Sequence, residues 1–96
     1  MKLKPLKLKP LSSAQIRAAR ALLRWSAEDL AARTKLGVAT IRRAESQDGI
    51  ITLTPANADA IQSAFEAAGI QFIFENGGGP GVRLRHPIRS DQNGSA

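Results

Sequence analysis

The chain has 96 residues, with 14 lysines and arginines against 8 aspartates and glutamates, and no cysteine. This length predicts one domain with a small core, and the lack of cysteine excludes disulfides and thiolate metal sites while suiting a reducing cytoplasm. The net charge of +6 favours nucleic acid or acidic surfaces as partners, and no apolar run approaches the roughly 20 residues of a membrane span.

The N-terminus carries the densest run of positive charge. Lys-Leu-Lys-Pro-Leu occurs twice without change, and residues 1–11 contain no acidic residue. Because proline opposes helix, these residues are predicted to form a flexible basic arm, although their alternation would also allow a short edge strand. Its lysines are predicted to contact nucleic-acid phosphates, and the alternative is a tail that only promotes solubility. These lysines are Lys2, Lys4, Lys7 and Lys9.

A capping-box pattern marks the start of the first helix. Ser12 is followed three residues later by Gln15, which predicts that a helix begins there. Ile16 and Leu23 follow at helical spacing and are predicted to face the core. Trp25 lies in the link to the next helix, where we expect it to plug the core between helices.

The next segment predicts two short helices joined by a tight turn. Ser26 and Asp29 form a second capping box, and Leu30 then faces inward. Gly37 is suited to cap the following helix, from which Ile41 faces back toward the core. This arrangement is typical of a helix-turn-helix, which lays its second helix in the major groove of DNA.

The last third of the domain predicts one more helix and a hairpin. Thr54 and Pro55 are favourable at a helix start, and Gly69 is a favourable stop. Residues 70–75 and 82–85 are predicted strands, joined by a glycine-rich turn.

These elements predict a mainly α fold of four helices followed by a C-terminal β-hairpin. Residues 12–85 are the predicted domain, and residues 86–96 are a predicted disordered tail. The only histidine, His86, lies in that tail beside Pro87, without a paired base or nucleophile. We therefore expect no enzymatic activity and no cofactor or metal site.

Thirteen residues between positions 16 and 45 carry a family resemblance, as does the segment EAAGIQFIFENGGGPGVRLR at residues 66–85. The thirteen are Ile16, Arg20, Trp25, Ser26, Glu28, Asp29, Leu30, Ala31, Leu36, Gly37, Thr40, Ile41 and Glu45. They resemble the phage-repressor class of helix-turn-helix proteins, the Cro and XRE regulators. The later segment resembles the ends of short bacterial XRE-type regulators. The resemblance implies a lambda-repressor-like helical domain.

The same resemblance implies which residues contact DNA. Arg43 would face base edges, Arg42 would approach a phosphate, and Ser26 would meet a phosphate at the start of its helix. Glutamine is frequent in this class where Ala27 and Val38 stand, so we expect few direct base contacts. The predicted DNA-contacting residues of this unit are Ser26, Val38, Ala39, Thr40, Arg42 and Arg43.

A buried ion pair is also implied. In this class an arginine of the first helix commonly meets the glutamate that ends the recognition helix. Arg20 and Glu45 stand at the matching positions. We expect the pair to fix the recognition helix against the first helix.

The hairpin predicts a dimer interface. Alternation places Ile70 and Phe72 on one face and Ile73 on the other, and an unpaired strand edge invites a second copy. The alternative is that the hairpin simply packs on the core of its own chain. The predicted interface residues are Ile61, Phe65, Ile70, Phe72, Ile73 and Phe74.

Together these features predict a small cytoplasmic transcriptional regulator, a homodimer that binds duplex DNA with some sequence bias. The alternative is an antitoxin or antiactivator, whose helix-turn-helix fold mainly binds a protein partner. An enzyme is disfavoured because no catalytic constellation is present.

Overall fold

The computed structural model describes residues 11–46 and 53–86. Within these residues the chain forms four helices and one antiparallel hairpin, which confirms the predicted mainly helical class. The predicted basic arm lies outside them up to residue 10, as does the predicted tail from residue 87 onward. The elements are α1 (Ser13–Leu23), α2 (Ala27–Thr34), α3 (Val38–Ser46), α4 (Pro55–Ala67), β1 (Ile70–Ile73) and β2 (Gly81–Leu84).

Three helices begin at the residues that the sequence predicts as caps. The hydroxyl of Ser12 accepts the Gln15 N–H at 3.1 Å, and that of Ser26 accepts the Asp29 N–H at 2.9 Å. Thr54 caps α4 in the same way, with Pro55 in the first helical position. Each cap satisfies a backbone donor that a helix start otherwise leaves unpaired. The predicted starts of α1, α2 and α4 are therefore confirmed.

The core lies between the four helices and the inner face of the hairpin. It includes Leu11, which is only 3 % exposed, so the predicted arm ends before this residue rather than including it. Leu11 is buried because it directly precedes the α1 cap and so lies close to the helices it packs against. The buried apolar residues are Leu11, Ile16, Ala19, Ala27, Leu30, Ile41, Ala44, Ile61, Phe65, Ile70 and Phe72.

Trp25 bridges the core and the surface at the junction of α1 and α2. Its ring stacks on Phe65, with ring centroids 5.5 Å apart. The Arg33 guanidinium lies over the same ring, 4.3 Å from its centroid. Such a cation–π contact adds an electrostatic attraction to the stabilisation that comes from burying the aromatic ring. Trp25 thus packs between helices as expected, but it is half-buried and covered partly by a charged side chain.

The hairpin pairs β1 with β2 from Ile70 opposite Leu84 to Ile73 opposite Gly81. Both predicted strand ranges need correction, since β1 stops at Ile73 and β2 already begins at Gly81. The connection contains three consecutive glycines and Pro80, residue types that pair poorly in strands. At the other end, the Arg85 N–H donates to the Gly69 carbonyl at 2.7 Å, which extends the ladder by one bond.

Four of the predicted dimer-interface residues are instead core residues of the single chain. Ile61, Phe65 and Ile70 have no exposed surface, and Phe72 is also buried. Alternation along β1 turns Ile70 and Phe72 toward α4, where they cover Phe65. These four side chains are therefore not available to a second folded copy. Ile73 and Phe74 are only half-buried and remain candidates.

Gln15 ties the start of α1 to the hairpin. Its side-chain oxygen accepts the Ser12 N–H at 3.0 Å, which completes the capping box. Its side-chain nitrogen donates to the carbonyls of Ile73 at 3.1 Å and Gly81 at 3.0 Å, one from each strand. Because Gln15 is buried, losing its amide would leave buried backbone groups with fewer partners.

Candidate nucleic-acid interface

A two-residue link, Leu36 and Gly37, and the left-handed Lys35 join α2 to α3. Lys35 ends α2 with φ of 63°, and its N–H donates to the Ala31 carbonyl at 2.8 Å. The Gly37 carbonyl then accepts the N–H groups of Thr40 and Ile41 and so starts α3. A lysine thus occupies the left-handed position in this turn, a conformation that costs non-glycine residues free energy.

The inner side of α3 is held by apolar packing. Ile41 and Ala44 are buried on this side, with Leu30 of α2 in the same cluster. A helix turns by about 100° per residue, so positions 41, 44 and 45 share one side. This burial fixes which side of α3 faces away from the protein.

The predicted ion pair of Arg20 and Glu45 is present and joins α1 to α3. Arg20 Nε donates to Glu45 Oε2 at 2.6 Å, and Nη2 donates to Oε1 at 2.8 Å. Arg20 Nη1 also donates to the Trp25 carbonyl at 2.8 Å. The side chains are 23 % and 10 % exposed, so the pair is largely rather than fully buried. The hydrogen bonds that Arg20 donates to the Glu45 carboxylate raise the pKa of Arg20 above its ordinary value.

A second arginine of α1 holds the end of α3. Arg17 donates from Nη1 to the Glu45 backbone carbonyl at 2.5 Å. A cation at this place satisfies a carbonyl that the helix end leaves unpaired, and it complements the negative end of the helix dipole. Arg17 and Arg20 therefore both bind Glu45 and hold the last turn of α3 against α1.

The outer side of α3 presents small and basic side chains to solvent. Ala39, Arg42, Arg43 and Ser46 are exposed, and helical spacing places the two arginines on either side of Ala39 and Ser46. Arg43 makes no side-chain hydrogen bond or ion pair with the described residues. The small residues between the arginines let a ligand approach the helix backbone closely.

The other predicted contact residues are less accessible. Val38 and Thr40 are half-buried, and Val38 packs against the core. They flank the buried Ile41 side of α3, so only part of each side chain faces out. Lys2, Lys4, Lys7 and Lys9 lie outside the described residues.

Ser26 is exposed at the start of α2, where much of its hydrogen-bonding capacity is already used. Its hydroxyl accepts the Asp29 N–H, and its own N–H donates to Asp29 Oδ2 at 2.9 Å. The backbone and side-chain hydrogen bonds with Ser26 lower the pKa of Asp29, because they stabilise its charged form. Because that side-chain hydrogen bond uses the Ser26 hydroxyl proton, an external acceptor such as a phosphate must displace the Asp29 carboxylate to receive it.

Arg42 pairs with an acidic residue of α2. Its Nη2 lies 2.5 Å from Glu28 Oε2, and the two side chains are 59 % and 63 % exposed. The family resemblance implies a phosphate contact for Arg42, and no sequence pattern indicates this partner. Residues 28 and 42 are far apart in sequence, so only the packing of α2 on α3 brings them together.

The described parts of the chain contain neither a cluster of metal ligands nor a helix that could span a membrane. Residues 11–46 and 53–86 contain no group of three potential metal-ligating side chains. None of the helices formed by these residues has the length and apolar character to cross a membrane. No protein-family model matches the chain, and no curated protein sequence matches it.

Proposed function

We propose that this protein is a small transcriptional regulator that binds duplex DNA with α3 in the major groove. The observation that carries this proposal is the outer side of α3, where Arg42 and Arg43 flank the small residues Ala39 and Ser46. A short helix with a narrow, basic outer side fits a groove about 12 Å wide. The residues between Ile16 and Glu45 that resemble the phage-repressor class support the same function.

The way α3 is held also favours groove binding. Ile41 and Ala44 anchor its inner side, and Arg17 and Arg20 hold its last turn. A side chain that must meet a base edge needs a rigid support, because misplacement weakens hydrogen bonds. These contacts therefore fix the part of α3 from which Arg43 projects.

The proposal assigns sequence preference to few residues. Arg43 can form two hydrogen bonds to a guanine, whereas Ala39 offers only apolar contact to a thymine methyl group. The proposal assigns Arg42 and Ser26 to phosphates, which carry no sequence information. We therefore expect moderate specificity, with a large contribution from phosphate contacts. With this function, we expect the protein to be cytoplasmic and associated with the nucleoid.

A homodimer completes the proposal. The outer edge of β1 has no neighbouring strand among the described residues, and Ile73 is half-exposed beside it. An open edge with an apolar side chain favours pairing with a second copy. Two copies would place two α3 helices on half-sites separated by about one DNA turn.

The test begins by selecting genomic fragments with the purified protein and sequencing them. Arg43→Ala should then weaken binding to the best duplex by about 1–3 kcal/mol and relax the preference at one base pair. Arg83→Ala on the outer face of β2 removes the same charge and is the matched control. Binding is measured by fluorescence anisotropy.

Equal effects of the two substitutions would contradict the assignment of α3 to the groove. A tight protein partner without duplex binding would instead favour the antitoxin function.

A further inference from the structure

The ion pair between Arg42 and Glu28 lies on the outside of the α2–α3 unit. Glu28 belongs to the first turn of α2, and Arg42 to the outer side of α3. More than half of each side chain is exposed. The neighbouring Arg43 has no such partner among the described residues. Of these two adjacent arginines, only Arg42 therefore pairs with a carboxylate within the part of the chain that the structure describes.

This pair contributes little to folding. Exposed ion pairs are typically worth about 0–1 kcal/mol, because water screens the charges and both side chains lose freedom. Glu28 is also absent from the core and from the α2 capping box, which Ser26 and Asp29 form. A carboxylate that is unimportant for the fold but sits on the basic side of α3 has its main effect on what that side binds.

We infer that Glu28 sets the overall DNA affinity of this surface by competing with phosphate for Arg42. This inference rests on the proposed DNA-binding function. In the free protein the Glu28 carboxylate neutralises the Arg42 guanidinium. A phosphate that approaches α3 must displace this carboxylate before it can pair with Arg42. Glu28 contacts neither base nor phosphate and acts through Arg42.

The direction of the effect follows from the exposure of the pair. If Glu28 held Arg42 rigidly in a phosphate-binding pose, removing its charge would weaken binding. A pair as exposed as this one is too weak to impose a pose, so competition for Arg42 dominates. Because phosphate contacts are independent of sequence, Glu28 should lower affinity for specific and random duplexes by the same factor.

Glu28→Gln tests this inference directly. It should tighten binding to both specific and random duplexes by about 3- to 10-fold at low salt. The slope of log affinity against log salt should steepen by about 0.9, the value for one more neutralised phosphate. Glu75→Gln, an exposed residue next to the hairpin turn, makes the same change in net charge and is the matched control.

The double variant separates a local from a general charge effect. In an Arg42→Gln background, Glu28→Gln should gain no more affinity than Glu75→Gln does. Melting followed by Trp25 fluorescence checks that every variant keeps the fold. If wild type binds duplex DNA but Glu28→Gln gains no more than the control, or loses affinity, this inference is wrong and the proposed function stands. If wild type shows no salt-dependent duplex binding, both fail.

Discussion

The two ion pairs that α3 makes among the described residues have the same chemistry and opposite surroundings. Arg20 and Glu45 are largely buried, share two hydrogen bonds and join α3 to α1. Arg42 and Glu28 are mostly exposed and join α3 to α2. Burial makes the first pair costly to break, whereas exposure leaves the second free to exchange partners. The inner side of α3 is thus the side that stabilises the fold, and the outer side is the one that we propose to bind DNA.

The largest expected effect is on the inner side of α3. Ile41→Ala removes a fully buried side chain and should lower the free energy of unfolding by about 2–5 kcal/mol. Arg43→Ala on the outer side should change it by less than about 0.5 kcal/mol. Chemical denaturation followed by Trp25 fluorescence measures both. Similar losses for the two variants would contradict the division of α3 into an inner and an outer side.

The two glutamates give a closer comparison. Glu45→Gln leaves the Arg20 charge largely buried and poorly compensated, and should cost about 2–3 kcal/mol of unfolding free energy. This lies below the full cost of breaking a buried pair, because Arg20 keeps some solvent. Glu28→Gln should cost less than about 1 kcal/mol. The same denaturation experiment compares them, and equal costs would show that burial does not distinguish the pairs.

The hairpin has the same division into inner and outer faces. Ile70 and Phe72 cover the core, while Ile73 and Gln71 face the other way. Ile73→Asp should shift a homodimer toward monomer at micromolar concentration and weaken operator binding. Ser63→Asp, at an exposed position of α4 away from the hairpin, is the control for added charge. Sedimentation measures both. A wild-type monomer, or a dimer that survives Ile73→Asp, would rule out this surface as the interface.

Local signals made much of the fold predictable. The caps at Ser12, Ser26 and Thr54 use residues within three positions in sequence, so they depend on no distant contact. The stop near Gly69 is local too, since its φ of 102° favours glycine. The pairing of Arg20 with Glu45 is not local, and the family resemblance supplied it. The resemblance also suggested which side of α3 faces out.

Contacts between distant elements could not be predicted in this way. The hairpin shows why, because alternation divides β1 into two faces but does not say whether the chain's own helices or a second copy covers each face. For Ile70 and Phe72 the answer is α4. The bonds from Gln15 to both strands, and the pairing of Glu28 with Arg42, likewise depend on how elements pack.

The smallest expected effect is a pH dependence at the start of α2, where Asp29 belongs to the capping box. Hydrogen bonds from Ser26 lower the pKa of Asp29 in the folded chain, so the charged carboxylate favours folding. Its contribution is present above the unfolded pKa of about 4 and is lost as the pH falls through the lower folded pKa. Asp29→Asn should therefore lower the Tm slightly at pH 7 and flatten its fall below about pH 4.

An exposed carboxylate of α4, that of Asp59, supplies the control for this measurement. Asp59→Asn removes one carboxylate without touching a cap, so it should leave the acid limb of the Tm profile closer to wild type than Asp29→Asn does. Because Asp29 is exposed, water screens its interactions, and its effect should stay below that of Glu45→Gln at every pH. A larger effect for Asp29→Asn would mean that the cap at the start of α2 contributes more to stability than the ion pair of Arg20 and Glu45 at the end of α3.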